Sequence, residues 1–260
     1  MKREEPSKPG LVKLSERLQA IAGMVRGKAD TGQGYCLCDV GTDHAHIPIR
    51  LLQEGRIDSA LAMDVIEGPL VKAQENLEIY GCADKVTLRL SDGLDAYHTG
   101  EADGLVIAGM GGRIMGKILQ REPDKTADFK ELVLQPQADP EVVRGALRRL
   151  GLAIDDERLI FDDGKYYPVM HAASVPQRRP ELQTKDEAAK AECEALFGPI
   201  LLAERDETLY RFLCWRKEVN CRILASLENA QEPGSSSILQ KRSSVEHMLS
   251  LLELAMSLYV

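Results

Sequence analysis

From residue 35 to residue 151, apolar runs rich in strand formers alternate with helical patterns, and this alternation constrains the fold more than any other feature of the chain. The runs are "YCLCDV", "ALAMDV", "VTLRL", "GLVIAG" and "ELVLQP"; the patterns between and after them are "HIPIRLLQEG", "GPLVKAQENLEIYG", "GRIMGKILQR" and "PEVVRGALRRLG". Parallel neighbours must be joined by a crossover long enough to hold a helix, and such helices cover both faces of the sheet. The pattern therefore predicts an α/β fold with a doubly wound, mostly parallel sheet. Before the first strand, Leu14, Leu18, Ile21 and Val25 recur at spacings of three and four, which predicts an amphipathic helix from Leu11 to Val25 ending near Gly27. After "LRRLG", two strand-like runs flank Asp162-Asp163-Gly164, a short-range hairpin signal. Antiparallel strands are expected to finish the sheet.

The segment "PQRRPELQTKD" reads as a linker, so the chain is expected to divide into residues 1–177 and a helical part, 178–260. In that second part Leu209, Phe212, Leu213, Val219, Ile223 and Leu227 share one helical face, as do Val245, Met248, Leu249, Leu252 and Met256, with "EPGSSS" as the turn between them. An antiparallel helical hairpin packing on itself is expected. With 260 residues, 44% of them apolar, the chain can bury a full core. A net charge of −8 gives no global pull toward nucleic acid, so any RNA must be met by local basic patches. The six cysteines lack the spacing of a disulfide framework or metal knuckle and read as small buried groups in a reducing compartment. Without an apolar leader or membrane-length run, the protein is expected to be soluble and cytoplasmic, with no membrane partner. Its oligomeric state is left open.

Ligands of an open parallel sheet bind beyond the carboxyl ends of its strands, where strand order reverses. Four consecutive tips here carry an acid or glycine: Asp39-Val40-Gly41, Asp64, Asp92-Gly93 and Ala108-Gly109-Met110-Gly111-Gly112. A dinucleotide would want G-x-G-x-x-G after the first strand, but only Gly41 stands there. S-adenosylmethionine has no phosphate and needs acceptors for its ribose hydroxyls, a polar partner for its adenine amino group, and close backbone approach. Asp64 lies 23 positions after Gly41, close to the separation of about 20 at which an acid grips ribose hydroxyls. We assign Asp64, with Val65 beside it, to the ribose region, Asp92-Gly93 to the adenine amino group, and Ala108 to Met110 to the length of the cofactor. Asp39 and Gly41 serve it at the first tip. The competing reading of each acid is an N-cap for the next helix, and of "GMGG" a tight strand-to-helix turn.

The strings "LSERL", "CDVGTDHAHIP", "AMDVIEGPL", "SDGL", "VIAGMGG", "LQP" and "LRRLGLAIDDERLIFDDGKYYPVM" together resemble the bacterial tRNA (adenine-N1)-methyltransferases that modify adenine 22, and the likeness runs on through "FGPILLAERDETLYRFL". The resemblance implies a Rossmann-like class I methyltransferase domain, S-adenosyl-L-methionine as donor, tRNA as substrate and partner, and a coiled-coil-like C-terminal region that helps hold RNA. Adenine N1 carries an in-plane lone pair and can attack without first losing a proton, so positioning in a water-poor pocket would be the main contribution. The fourth tip lacks the Asp/Asn-Pro-Pro-aromatic string typical of exocyclic amino methylation, which favours a ring nitrogen.

Asp43 and His44, just past the first tip, are the catalytic candidates. Asp43 would meet the adenine amino group or a water and balance the positive charge left on the ring; a carboxylate favoured by the helix dipole is the alternative. His44 would orient substrate or touch cofactor, or else cap or pack. His46 stands where the resemblance implies a tyrosine, and an imidazole can also stack on a base. Asp43, His44 and His46 have the types of metal ligands, but neighbouring helical residues diverge and no distant His/Cys pair completes a set, so no metal is expected. Arg17 would reach the cofactor carboxylate from the leading helix, or be solvated. Phosphate contacts would come from Arg113, Lys117 and Arg121, from Arg178-Arg179, and from Arg205, Arg211, Arg216 and Lys217, unless these faces are merely solvated. The rival functions are methylation of a small molecule or protein, and non-catalytic RNA or nucleotide binding on the same fold.

Overall fold

The computed structural model describes residues 10–31, 34–174, 187–229 and 235–259. Arg178, Arg179 and the Glu232-Pro233-Gly234 half of the "EPGSSS" turn lie outside the described residues. The chain divides into two compact units, residues 1–177 and 178–260.

In the first unit the elements follow in the order α1 (Glu16–Met24), α2 (Lys28–Thr31), β1 (Cys36–Val40), α3 (His46–Gln53), β2 (Ser59–Asp64), α4 (Glu67–Ile79) and β3 (Val86–Leu90). They continue through β4 (Gly104–Met110), α5 (Gly112–Arg121), α6 (Pro123–Asp128), β5 (Glu131–Pro136), α7 (Pro140–Arg149), β6 (Ala153–Asp162) and β7 (Lys165–Ala173). The seven strands form one sheet in the order β3-β2-β1-β4-β5-β7-β6. The first five are parallel, and β7 is antiparallel to both β5 and β6. The central strands bury near-continuous apolar runs, such as Leu105-Val106-Ile107 and Leu132-Val133-Leu134, because helices cover both faces. β1 steps to β2 on one side and borders β4 on the other, so strand order reverses between β1 and β4. This is the reversal at which ligands bind.

The leading helix begins later than its hydrophobic spacing predicts. Ser15 caps it by accepting from the Leu18 N–H at 3.3 Å, and upstream Val12 instead buries its side chain while donating its N–H to Gln53. The β6–β7 turn falls on Asp163 and Gly164, both left-handed at φ 48° and 74°. That geometry matches a two-residue hairpin turn with positive φ at both central positions.

At the amino end of the sheet, opposite the strand tips, α1 is tied down by a buried polar cluster. Glu131 accepts from the backbone N–H groups of Arg26 and Gly27, each at 2.9 Å, from the Tyr35 hydroxyl, and from His171 Nε2 at 2.8 Å. His171 Nδ1 meets Asp155, which pairs with Arg26 at 3.0 Å. Burial pushes Glu131 up, but the hydrogen bonds from His171 and Tyr35 outweigh it and hold the carboxyl down at about 2. Burial alone would lower His171; hydrogen bonds to Glu131 and Asp155 raise it instead.

The second unit contains α8 (Glu187–Phe197), α9 (Pro199–Ala203), α10 (Glu207–Glu228), α11 (Ser236–Met256) and a final 3₁₀ turn, Ser257–Tyr259. The ion pairs Lys217–Glu253 and Arg242–Glu228 run in opposite senses along α10 and α11, so these helices are antiparallel. They do not pack only on each other, as the sequence predicts. The α8 helix also covers α11, with Cys193 buried against the Leu251 carbonyl, because Leu251 and Ala255 form a second apolar face. No helix among the described residues is long and apolar enough to cross a membrane.

Candidate functional site

A cleft of about 400 Å³ opens at the reversal point and gathers the first, second and fourth strand tips. The tips of β1 and β2 contribute Asp39, Gly41, Thr42, Asp43, His44 and Asp64; α3 and α4 contribute His46, Ile47 and Pro69; Ile66 lies between β2 and α4. Ala108 and Gly109 of β4, Gln137 beyond β5, and Arg17 and Leu18 of α1 close the far wall.

The loop after β1 turns by alternating left-handed residues: Gly41 at φ 74°, Asp43 at 53° and Ala45 at 57°. Gly41 and Thr42 donate their N–H groups to the Met63 carbonyl at 2.8 and 3.0 Å, pinning the loop to β2. A Cβ at Gly41 would stand 3.0 Å from Met110 Cε, so a side chain there would crowd the β4 tip as well as strain the backbone. Asp39 is 3% exposed and accepts from the Thr42 hydroxyl at 2.6 Å. Burial raises its carboxyl to about 7, the Thr42 hydrogen bond opposing and the charge of Asp64 adding to the rise.

Asp64 accepts from the N–H of Ile66 at 3.1 Å and, more weakly, from that of Asp43 at 3.4 Å. The two residues after it, Val65 and Ile66, are 60% and 61% exposed, an apolar pair at the second tip. Helix capping does not account for the tip acids: the cap residues of α3, α4 and α5 are Ala45, Ile66 and Gly111, and none supplies a side-chain hydrogen bond.

Asp43 is exposed, with His44 Nε2 at 3.4 Å from its carboxylate. His44 stacks on His46 with ring centroids 5.4 Å apart and planes 16° from parallel. Asn76 donates to the His44 carbonyl at 3.0 Å and lies 3.5 Å from His46 Nε2. Burial and the neighbouring His44 lower the His46 pKa, Asp43 opposing, so His46 is neutral at pH 7. Among the described residues no three His, Cys, Asp or Glu side chains gather as a metal-ligand set.

Arg17 is built into the wall and not left in solvent. Its Nη1 donates to Gln135 Oε1 at 2.8 Å, its guanidinium lies 5.2 Å from the centroid of Tyr167, and its backbone N–H reaches Asp162. Gln135, fully buried, also accepts from the Gly109 N–H at 3.2 Å. The helix thus holds a guanidinium beside the β4 turn. At that turn the β4–β5 register shifts between Ala108 and Met110, and a Cβ on Gly112 would fall 2.2 Å from the Asp139 carbonyl oxygen. Only glycine lets α5 start so close to the loop after β5.

Several predicted residues are not brought into the cleft. Asp92 sits one residue past Ser91, whose N–H bonds the Asp64 carbonyl, but its carboxylate is engaged by Arg121 at 3.0 Å and does not line the cavity. Gly93 supplies a left-handed turn there, and neither Met110 nor Val65 lines the cavity. Arg121 divides itself between Asp92 and Asp95, so it is not the phosphate contact its position suggests. Arg113 is 3.0 Å from Asp139 with its side chain largely exposed, and Lys117 lies on the same exposed face of α5. In the second unit, Arg211 and Lys217 pair with Glu207 and Glu253. The sequence reading missed Thr42, Gln135 and Gln137. The two glutamines that flank Pro136, one inside the otherwise apolar run "ELVLQP" and one just after it, were the available signal for the last two.

Residues 14–170 match the family described as Methyltransferase domain. A curated tRNA (adenine(22)-N(1))-methyltransferase of Bacillus subtilis (strain 168) is 29% identical over 208 residues, covering 80% of this chain and 82% of that protein. The solved structure of the B. subtilis m1A22 tRNA methyltransferase TrmK is similar with a TM-score of 0.78 and 27% identity, over 95% of this chain and 100% of that one. A Streptococcus pneumoniae protein, a candidate tRNA (m1A22) methyltransferase solved in complex with S-adenosyl-L-methionine, matches with a TM-score of 0.74 and 29% identity, over 94% of this chain and 100% of that one.

Proposed function

The chain belongs to the methyltransferase domain family, and from that premise we propose that it is an S-adenosyl-L-methionine-dependent tRNA methyltransferase acting on N1 of adenine 22. The curated relative and the two similar structures described above carry that activity in their names, and the likeness to them extends over both units. The observation that carries the donor assignment is the chemistry of the cleft: Asp39, Asp43 and Asp64 face one arginine, with no G-x-G-x-x-G phosphate loop after the first strand. Such a set suits a cationic, phosphate-free ligand and repels a pyrophosphate.

Bound there, S-adenosyl-L-methionine supplies a methyl group on a cationic sulfur. Asp64 accepts from the ribose hydroxyls, and the exposed Val65 and Ile66 lie against the adenine face. Arg17 meets the methionyl carboxylate, and the carbonyl-rich turn Ala108 to Met110 follows the chain of the ligand. Asp92 reaches the adenine edge from the next strand by exchanging its ion pair with Arg121 for the ligand. The donor would supply that electrophilic methyl to adenine N1 of the substrate, whose in-plane lone pair needs no prior deprotonation, and the positive charge would then rest on the base. Asp43 stands where it balances that charge, with His44 orienting the base. The neutral, stacked His46 supplies surface and not charge. Arg113 and Lys117 of α5 meet RNA phosphates. The protein works in the cytoplasm, where its substrate is found.

Incubation with labelled donor and unmodified tRNA, followed by mapping of the methyl group, tests the proposal. Label at adenine N1 is expected; label elsewhere, or binding without transfer, refutes it. Asp43→Asn is expected to lower kcat roughly 10- to 100-fold, the effect of weakening one charged hydrogen bond, with less change in donor affinity. A normal rate in that variant removes Asp43 from the chemistry.

A pH dependence follows from Asp39. Its carboxyl, raised to about 7, is ionised above that value and neutral below it, and a cation above it favours ionisation. Donor affinity is therefore expected to fall as pH drops from 8 through 7, with a proton released on binding near neutrality. Calorimetry in buffers of different ionisation enthalpy checks this; affinity flat across that range refutes it.

A further inference from the structure

The β6–β7 hairpin projects past its neighbours at the edge of the sheet that holds the cleft. β5 pairs with β7 only as far as Leu134 with Met170, whereas β7 begins five residues earlier, at Lys165. The last rungs, Ile160 with Tyr167, Phe161 with Tyr166 and Asp162 with Lys165, therefore have β6 and β7 alone. Adjacent strand residues point to opposite faces. Tyr167 is turned to the Arg17 side, where it lies under the guanidinium. Tyr166 and Phe161 are turned to the other, with ring centroids 4.7 Å apart and planes at 51°. Phe161 is 51% exposed, an apolar ring held open to water one residue before Asp162, which accepts from the Arg17 N–H.

We propose that Phe161, backed by Tyr166, is a stacking surface for a nucleobase next to the target base in the RNA substrate. The inference rests on the tRNA methyltransferase reading above. A base in folded RNA must be unstacked before its N1 can enter a cleft. An exposed ring on the ribbon that contacts the cleft-lining Arg17 offers the neighbouring base a replacement partner, and every base has a face to stack. The charges nearby fit a base better than a phosphate: Asp162 and Asp163 flank the tip, with Lys165 as the one cation of the turn. Arg17 binds this ribbon through Asp162 and Tyr167 while also lining the cleft, so the stacking ring is held at a fixed place relative to the donor.

The test compares Phe161→Ala, Phe161→Leu and Phe161→Tyr in the full chain, reading binding of end-labelled unmodified tRNA without donor by anisotropy, and donor binding by calorimetry. Loss of one stacked base corresponds to roughly 5- to 100-fold weaker tRNA binding, expected for both Ala and Leu. Tyr is expected to stay close to the original affinity, and donor affinity to be unchanged in all three. Unchanged tRNA affinity in Phe161→Ala overturns the proposal. So does a matching loss of donor binding, which would mark a packing role, or equal loss in Leu and Tyr, which would deny stacking. Should the unaltered protein bind tRNA through Phe161 yet transfer no methyl to it, the enzymatic reading falls while the stacking surface stands; should it bind no tRNA, both fall.

Discussion

Asp64→Asn is expected to weaken S-adenosyl-L-methionine binding by roughly 10- to 100-fold, the effect of removing a charged hydrogen-bond acceptor, without unfolding the protein. Asparagine keeps the shape of the side chain and one oxygen, so the turn made by the Ile66 N–H at 3.1 Å can persist. What is lost is the negative charge and the second acceptor, the two features that ribose hydroxyls would use. The same change has a second, opposite consequence next door. The charge of Asp64 helps hold the Asp39 carboxyl up at about 7, so its removal shifts that titration downward. Calorimetric titration at two pH values separates the effects: affinity falls at both, but the dependence on pH moves to lower values. A variant that binds donor as tightly as the original protein would take Asp64 out of the site.

Glu131→Ala is expected to be the most destabilising single change at the amino end of the sheet. It strips a buried acceptor from two backbone N–H groups, the Tyr35 hydroxyl and His171, and leaves the buried His171 with Asp155 alone of its two carboxylate partners. Breaking a buried charged network from one side costs about 3–5 kcal/mol. For a unit of this size, that lowers Tm by on the order of 10 °C. The network also sets signs for pH. Glu131 is held below its ordinary value, so its contribution is present above the unfolded carboxylate range and is lost as pH falls toward about 2. His171 is raised, so its contribution is full below its ordinary value of 6.5 and fades as pH rises through its folded pKa. Thermal unfolding across pH is thus expected to flatten on both sides in Glu131→Ala. A melting temperature within a degree of the original refutes the assignment.

The parallel sheet was legible because buried strands and crossover helices impose different periods on the same stretch of residues. The hairpin at Asp163-Gly164 was legible because few residues tolerate two left-handed positions. The start of α1 was not: Leu14 has helical spacing, but Ser15 supplies a cap, and a local hydrogen bond decides the boundary. Within the site, Asp39, Gly41 and Asp64 could be read because backbone topology alone carries strand tips to one place. Asp92 could be placed on its tip, but not its pairing with Arg121, which joins residues 29 positions apart. Gln135 was missed for the same reason in reverse: its role depends on an arginine delivered by α1, and no local pattern announces that meeting. The covering of α11 by α8 was missed because spacing on one helix identifies an apolar face without naming its occupant.

Ala45 is fully buried and left-handed, a conformation that costs an L-residue roughly 1–2 kcal/mol. No side-chain cap offsets that strain; the packing of Ile47, Ile49 and Leu51 behind it does. The core therefore holds the loop after β1 in its turned shape before anything enters the cleft. A ligand arriving there meets a surface whose backbone entropy has already been surrendered during folding, and its affinity is not diminished by having to order the loop a second time.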